Sequence, residues 1–234
     1  MVDDAELAGL DPFDIMDEEA ARLDAHLSGL ADDEWSRPSR CEGWSVRDVV
    51  AHLATVEDYH RACLDGEVQA FVAGFGERGA TDLESANALG IADRADLTTA
   101  DLVAAWRGSS AENRARFRER GEGVLDTLAG EYPNRWQSFH VATELATHAD
   151  DIGVPESADE RARRYVWRVP FSRFTLAEAK PDLAVTVDGD HTRISGDGSD
   201  LTVDDVELVE GVAGRLGDTA RLDAASCDIL SATP

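Results

Sequence analysis

Apolar residues recur at three- and four-residue intervals through most of the first 155 positions, and a two-residue alternation takes over only beyond position 180. Asp11-Pro12 places a capping residue before a proline, and Phe13, Met16, Ala20, Leu23, Leu27 and Leu30 share a helical spacing, so a first helix is predicted over 12–31. Ser45 with Asp48 three residues later opens a second helix that runs to about Leu64, with Val46, Val49, Val50, Leu53 and Val56 among its apolar positions. The Gly-, Ala- and Asp-rich stretch 66–97 reads as a long connection with room for one short helix. Thr98 or Thr99 caps a third helix to about Arg120, its buried stripe supplied by Leu102, Val103, Trp106 and Phe117. A fourth covers about Gln137 to Asp151 and is stopped by Gly153 and Pro155. Four helices with one long crossover imply a bundle.

Beyond Pro155 the pattern changes. A helix is predicted around 159–168, followed by alternating Leu183–Val187 and His191–Ser195 about the turn Asp188-Gly189-Asp190, a hairpin pattern. Leu201–Val203 adds a strand, Asp204 to Leu216 a helix ending at Gly217, and Thr219 to Leu222 a last strand. The expected fold class is α+β: a four-helix bundle over 1–155 and a smaller α+β domain over 156–234.

Charge narrows the partners. With 48 acidic against 22 basic residues the formal charge is −26, which repels nucleic-acid phosphates and anionic membrane surfaces. Neither is an expected partner. Lys180 is the only lysine, so the positive charge is nearly all arginine, which suits carboxylate recognition but equally reflects codon bias or a salt-adapted surface. No run of about 18 apolar residues is present to span a bilayer, and the first residues lack the basic and apolar regions of a secretion signal, so a cytoplasmic location is expected. Cys41, Cys63 and Cys227 are odd in number and widely spaced, which suits reduced thiols rather than disulfides.

Chemistry concentrates in the fourth predicted helix, where His140, Glu144 and His148 lie four residues apart and project from one face a turn apart. Glu144 and His148 can share a metal ion. The natural third ligand is His52, on the core side of the second helix among Val49, Val50 and Leu53, because inward His and Glu on facing helices are how bundles build metal sites. Two imidazoles and one carboxylate suit zinc and leave a fourth position for water or substrate. Against this, Glu/His pairs at this spacing are commonly solvated, and a lone histidine in an apolar stripe is commonly a core residue. His140 is an outer partner or a surface residue, and His60, two turns after His52, is expected to be exposed.

The segment Trp35-Ser-Arg-Pro-Ser-Arg-Cys-Glu-Gly-Trp-Ser-Val-Arg-Asp-Val-Val-Ala-His52-Leu, with Glu144-Leu-Ala-Thr-His148-Ala-Asp-Asp some ninety residues later, resembles the mycothiol-dependent maleylpyruvate isomerase family of the DinB-like superfamily. The likeness extends over roughly 11–155 and is loose beyond. It implies a DinB-like bundle holding one zinc ion on His52, Glu144 and His148, a low-molecular-weight thiol cofactor such as mycothiol, and a small electrophilic substrate, with dicarboxylates as candidates. The implied chemistry is thiolate addition to an activated double bond, rotation and elimination, or permanent transfer of the thiol to an electrophile. The family also points to an arginine of the C-terminal domain; Arg215 is the candidate, its plainer role being to complement a helix end. Asp151 either orients an imidazole or is a surface acid. Cys41 and Trp44 either approach the site or pack its loop. A zinc-dependent hydrolase with the same ligands, which would turn over without thiol, and a non-catalytic ligand-binding or stress-response module are the competing readings.

Overall fold

The structure, a computed structural model, describes residues 3–216 and 221–232. The chain forms two compact units, one of Asp11–Val154 and one that joins Met1–Leu10 to Pro155–Pro234. The first ten residues thus group with the C-terminal part, whereas the sequence assigned them to the bundle. Their short 3-10 helix, Ala5–Leu7, packs on the long helix of that unit, with Leu7 buried and Arg173 Nε 2.9 Å from Glu6 Oε2.

In the first unit α1 (Pro12–Leu27), α2 (Val46–Asp65), α5 (Thr99–Arg120) and α6 (Asn134–Asp151) form the bundle, with α3 (Val68–Glu77) and α4 (Leu83–Ala92) in the crossover. The crossover therefore holds two helices where one was expected. Local chemistry sets the boundaries. Asp11 accepts from the backbone N–H of Phe13 at 2.9 Å with Pro12 in the first turn, and the Ser45/Asp48 capping box closes in both directions. Gly66, at φ 74°, takes the left-handed conformation that ends α2. α1 stops at Leu27, short of residue 31, so the half-buried Leu30 does not continue the helix's buried stripe.

α1 packs on α6 and α2 on α5, around Met16, Leu23, Val46, Val49, Leu102, Trp106, Phe117 and Phe139. Arg107, Arg114 and Arg118 of α5 reach Asp24, Asp17 and Asp14 of α1 in an exposed ladder, of a kind that contributes little to stability singly. A hairpin that the sequence pattern did not reveal, β1 (Val124–Thr127) with β2 (Gly130–Pro133), connects α5 to α6. Immediately after it, the buried Asn134 donates through Nδ2 to the carbonyls of Phe117 and Gly121, each at 2.8 Å. That side chain closes the C-terminus of α5 and starts α6 three residues earlier than the expected Gln137.

In the second unit α7 (Ala158–Ala179) is twice the length expected and continues through Pro170. Proline lacks an N–H and normally disrupts a helix interior, but Phe171, Phe174 and Leu176 beyond it are all buried, and that burial carries the helix on. The antiparallel sheet β3 (Ala184–Asp188), β4 (His191–Gly196) and β5 (Ser199–Val203) follows; the expected hairpin is present, with Asp188 paired to His191 so that only Gly189 and Asp190 lie between the paired residues. α8 (Asp205–Val212) ends earlier than residue 216, and α9 (Ala224–Leu230) was not anticipated. The unit's core is Val169, Leu176, Ile194, Val203, Leu208, Val209, Val212 and Leu230. Gly217 and the start of the expected strand Thr219–Leu222 lie outside the described residues; Arg221 and Leu222 are not in a strand. The fold class is α+β, a helical bundle with a smaller α+β part, and among the described residues no helix is long and apolar enough to cross a membrane.

Candidate metal centre

α2 and α6 bring His52, Glu144 and His148 together. Glu144 Oε1 lies 2.9 Å from His52 Nε2 and 3.2 Å from His148 Nε2, and the imidazole centroids are 4.9 Å apart in an edge-on arrangement. The four-residue spacing on α6 aims Glu144 and His148 the same way, and His52 meets them from one turn and a half into α2. Both histidines are buried, while the Glu144 side chain is 34 % exposed and opens the cluster to solvent. The indole of Trp44, at the end of the loop before α2, stands 5.0 Å from the His52 ring.

Tetrahedral ligands about 2.0–2.1 Å from a zinc ion are roughly 3.3 Å from one another. One donor atom from each of the three residues falls within 4.8 Å of the others, and the two Nε2–Oε1 separations are close to the tetrahedral figure. The donor set, two imidazoles and a carboxylate on three side chains, could therefore hold zinc and leave it a free position. Burial by itself would raise the Glu144 carboxyl, but the charge of His148 and hydrogen bonds with both imidazoles outweigh it and hold the group well below its usual range. Burial would likewise lower His148; the Glu144 charge and hydrogen bonds with Asp151, Cys41 and Glu144 raise it well above the usual histidine value.

A second layer lies behind His148. Asp151 is buried at the end of α6, its Oδ2 3.0 Å from His148 Nδ1 and 3.1 Å from the Cys41 thiol that donates to it. Asp151 is thus an imidazole partner and not a surface acid, and Cys41 does reach the site, on the side of the His148 ring remote from Glu144. The loop is tied there by the Arg40 N–H on the Asp151 carbonyl at 3.0 Å and Arg37 Nη2 on the Ile152 carbonyl at 2.6 Å. Such long-range closures leave no periodic trace in a sequence.

Two further histidines of the helical unit divide. His140, one turn before Glu144, is half-buried with Nε2 3.1 Å from the Tyr132 hydroxyl. His60 is buried, contrary to its expected exposure, with Nδ1 3.4 Å from Glu57 Oε2, because Asn113 of α5 and the Phe117 ring cover it. Arg215 belongs to the C-terminal unit, three residues past α8, where its N–H donates to the Glu210 carbonyl at 2.7 Å and Nη1 to the Ala213 carbonyl at 3.1 Å. Those bonds suit its helix-end role.

The sequence profile of the mycothiol maleylpyruvate isomerase N-terminal domain matches residues 16–153, nearly the whole of the helical unit. Two solved structures share the fold: the mycothiol-dependent maleylpyruvate isomerase, at 18 % identity and a TM-score of 0.66, and a histidine-to-alanine mutant described under the same name, at 19 % and 0.65. Each alignment covers 93 % of this chain and 94 % of the other. No curated protein matches the sequence.

Proposed function

The chain belongs to the family defined by the mycothiol maleylpyruvate isomerase N-terminal domain, and from that premise we propose that it is a metal- and thiol-dependent enzyme acting on a small electrophile, as an isomerase or a thiol S-transferase. The observation that carries this reading is the convergence of His52, Glu144 and His148 from two facing helices with one donor atom each within 4.8 Å. Zinc is the ion that this donor set suits best.

A zinc ion there would keep a net positive charge and hold the sulfur of a mycothiol-like cofactor as the thiolate at neutral pH, ready to attack an electrophilic carbon. The protein's own contributions are binding and orientation. His52 and His148 would supply imidazole nitrogens from buried rings, and Glu144 would supply the compensating charge. Trp44 stands beside the His52 ring, and the partly exposed Glu144 is the member of the cluster most open to solvent. For a dicarboxylate substrate the candidate counter-ion is Arg215, and Arg215→Gln should then raise KM for a dicarboxylate while leaving metal content unchanged. An unchanged KM returns Arg215 to its helix-end role.

The deciding experiment is elemental analysis of untagged protein purified without chelator, repeated for His52→Ala and His148→Ala. Close to one zinc per chain, lost in both variants, is the expected result, followed by turnover only with added thiol. Turnover with no thiol would make the protein a zinc hydrolase. Absence of stoichiometric metal after reconstitution would leave a non-catalytic binding module.

A further inference from the structure

The two histidines of the cluster are supported unequally. His52 leaves Nδ1 buried with no hydrogen-bond partner among the described residues, and the Trp44 ring stands tilted beside the imidazole, 5.0 Å away. His148 has at the same place a buried carboxylate oxygen, Asp151 Oδ2, at 3.0 Å, and that oxygen also accepts from the Cys41 thiol at 3.1 Å. An acceptor at Nδ1 fixes the proton on that nitrogen and frees the Nε2 lone pair, which is the one that faces Glu144. The thiol donor occupies the same oxygen from another direction and keeps the carboxylate from rotating away, while the Arg40 N–H on the Asp151 carbonyl holds the thiol's loop against the helix end.

The geometry points to Asp151 as the positioning residue that sets the tautomer of His148, with Cys41 as a second positioning residue that orients Asp151. This rests on the metal reading above. It assigns Cys41 a role as hydrogen-bond donor, not as ligand or nucleophile, although Cys41, His148 and Asp151 together present donor atoms that could themselves surround a cation.

The test is metal affinity, measured by chelator competition with zinc alone in thiol-free buffer, on wild type, Asp151→Ala, Asp151→Asn, Cys41→Ala and Cys41→Ser. Loss of the carboxylate should weaken zinc about 10–100-fold. Asp151→Asn, which keeps an acceptor of the same shape, should recover part of that loss. Cys41→Ser, which still donates, should bind as wild type does, and Cys41→Ala should fall between wild type and Asp151→Ala. Thermal melts of the metal-free variants separate this ordering from loss of fold. Cobalt substitution adds a spectroscopic arm: the expected spectrum has visible d–d bands without a sulfur-to-cobalt charge-transfer band. Such a band, abolished in Cys41→Ser, would overturn the assignment by making Cys41 a ligand. Zinc affinity unchanged in Asp151→Ala, with His148→Ala losing the metal, would overturn it while sparing the metal site. Zinc absent from wild type would remove both.

Discussion

Helix α2 carries two buried histidines, and the surroundings of each have opposite consequences. At His60 the neighbouring carboxylate is saturated: Glu57 Oε2 takes Asn113 Nδ2 at 2.8 Å beside the imidazole at 3.4 Å, and the same Asn113 nitrogen also satisfies the Glu57 carbonyl at 2.8 Å. Glu57, His60, Ser110 and Asn113 are all buried. At His52 the carboxylate is a third exposed, and both imidazoles point their Nε2 atoms at one of its oxygens. A closed network of complementary donors and acceptors stabilises and specifies packing. Three groups that converge as donors to the same point, with one side open, describe a binding site. The residue types are nearly the same; the hydrogen-bond bookkeeping is what separates a core from a centre.

Removing each carboxylate should break this comparison in opposite ways. Glu144→Gln is expected to abolish stoichiometric zinc while moving the melting temperature of the metal-free protein far less than Glu57→Gln or Glu57→Ala does. If both properties follow the same residue, the distinction between the two pairs is wrong. Glu57→Ala should leave zinc content near that of wild type but destabilise the fold by roughly 1–3 kcal/mol, because buried His60 loses its carboxylate partner while Asn113 keeps the Glu57 carbonyl. Chemical denaturation with zinc assayed on the same samples checks both halves.

A smaller effect follows from pH. Burial tends to raise the Glu57 carboxyl, yet hydrogen bonding and charge from His60, with hydrogen bonds from Asn113 and Ser110, bring it below the usual glutamate value. The unfolded chain therefore binds more protons in acid than the folded one. The stabilisation is in place above the unfolded value of about 4.3 and is lost as pH falls through the lower folded value. The stability gap between wild type and Glu57→Gln should be constant near neutrality and close in acid; a gap that widens on acidification would contradict the assignment.

The sequence made the open site more legible than the closed one, for a physical reason. His52 lies in an apolar stripe of α2, and Glu144 and His148 lie one turn apart on α6, so helical periodicity alone puts all three on inward faces. His60 shares the periodicity of α2, but its burial depends on Asn113 and Phe117 of α5, whose pairing with α2 no local pattern encodes. Asp151 was visible as a residue three beyond His148 with two possible roles, and only the closure of the Arg37–Cys41 loop onto the helix end decides between them. Caps were equally readable: the Ser45/Asp48 box gave the start of α2 directly. The β1–β2 hairpin was not, because only Leu125 and Thr127 are buried in it and no apolar alternation results. α7 was underestimated because Pro170 obscures a buried stripe that resumes at Phe171.

The cysteines offer the finest resolution of the same contrast, since one thiol lies at each end of the comparison. Cys63, in the closed half of α2, is buried, and that burial pushes its thiol up to about 11 even though Tyr59 donates a hydrogen bond to it. Reaction with an alkylating reagent proceeds through the thiolate, so Cys63 at pH 8 combines a small ionised fraction with poor access. Cys41, beside the open site, and Cys227, in α9, are only half-buried. Native protein should therefore react at two thiols per chain, with the third reacting only as fast as the bundle opens, and mass spectrometry of the modified peptides should place the protected sulfur at Cys63. Glu57→Ala, by loosening the closed half, should speed modification of Cys63 without changing the rate at Cys41. A Cys63 that reacts at the Cys41 rate in wild type would mean that the two halves of α2 are equally open, and the separation of core from centre would then rest on the hydrogen bonds alone.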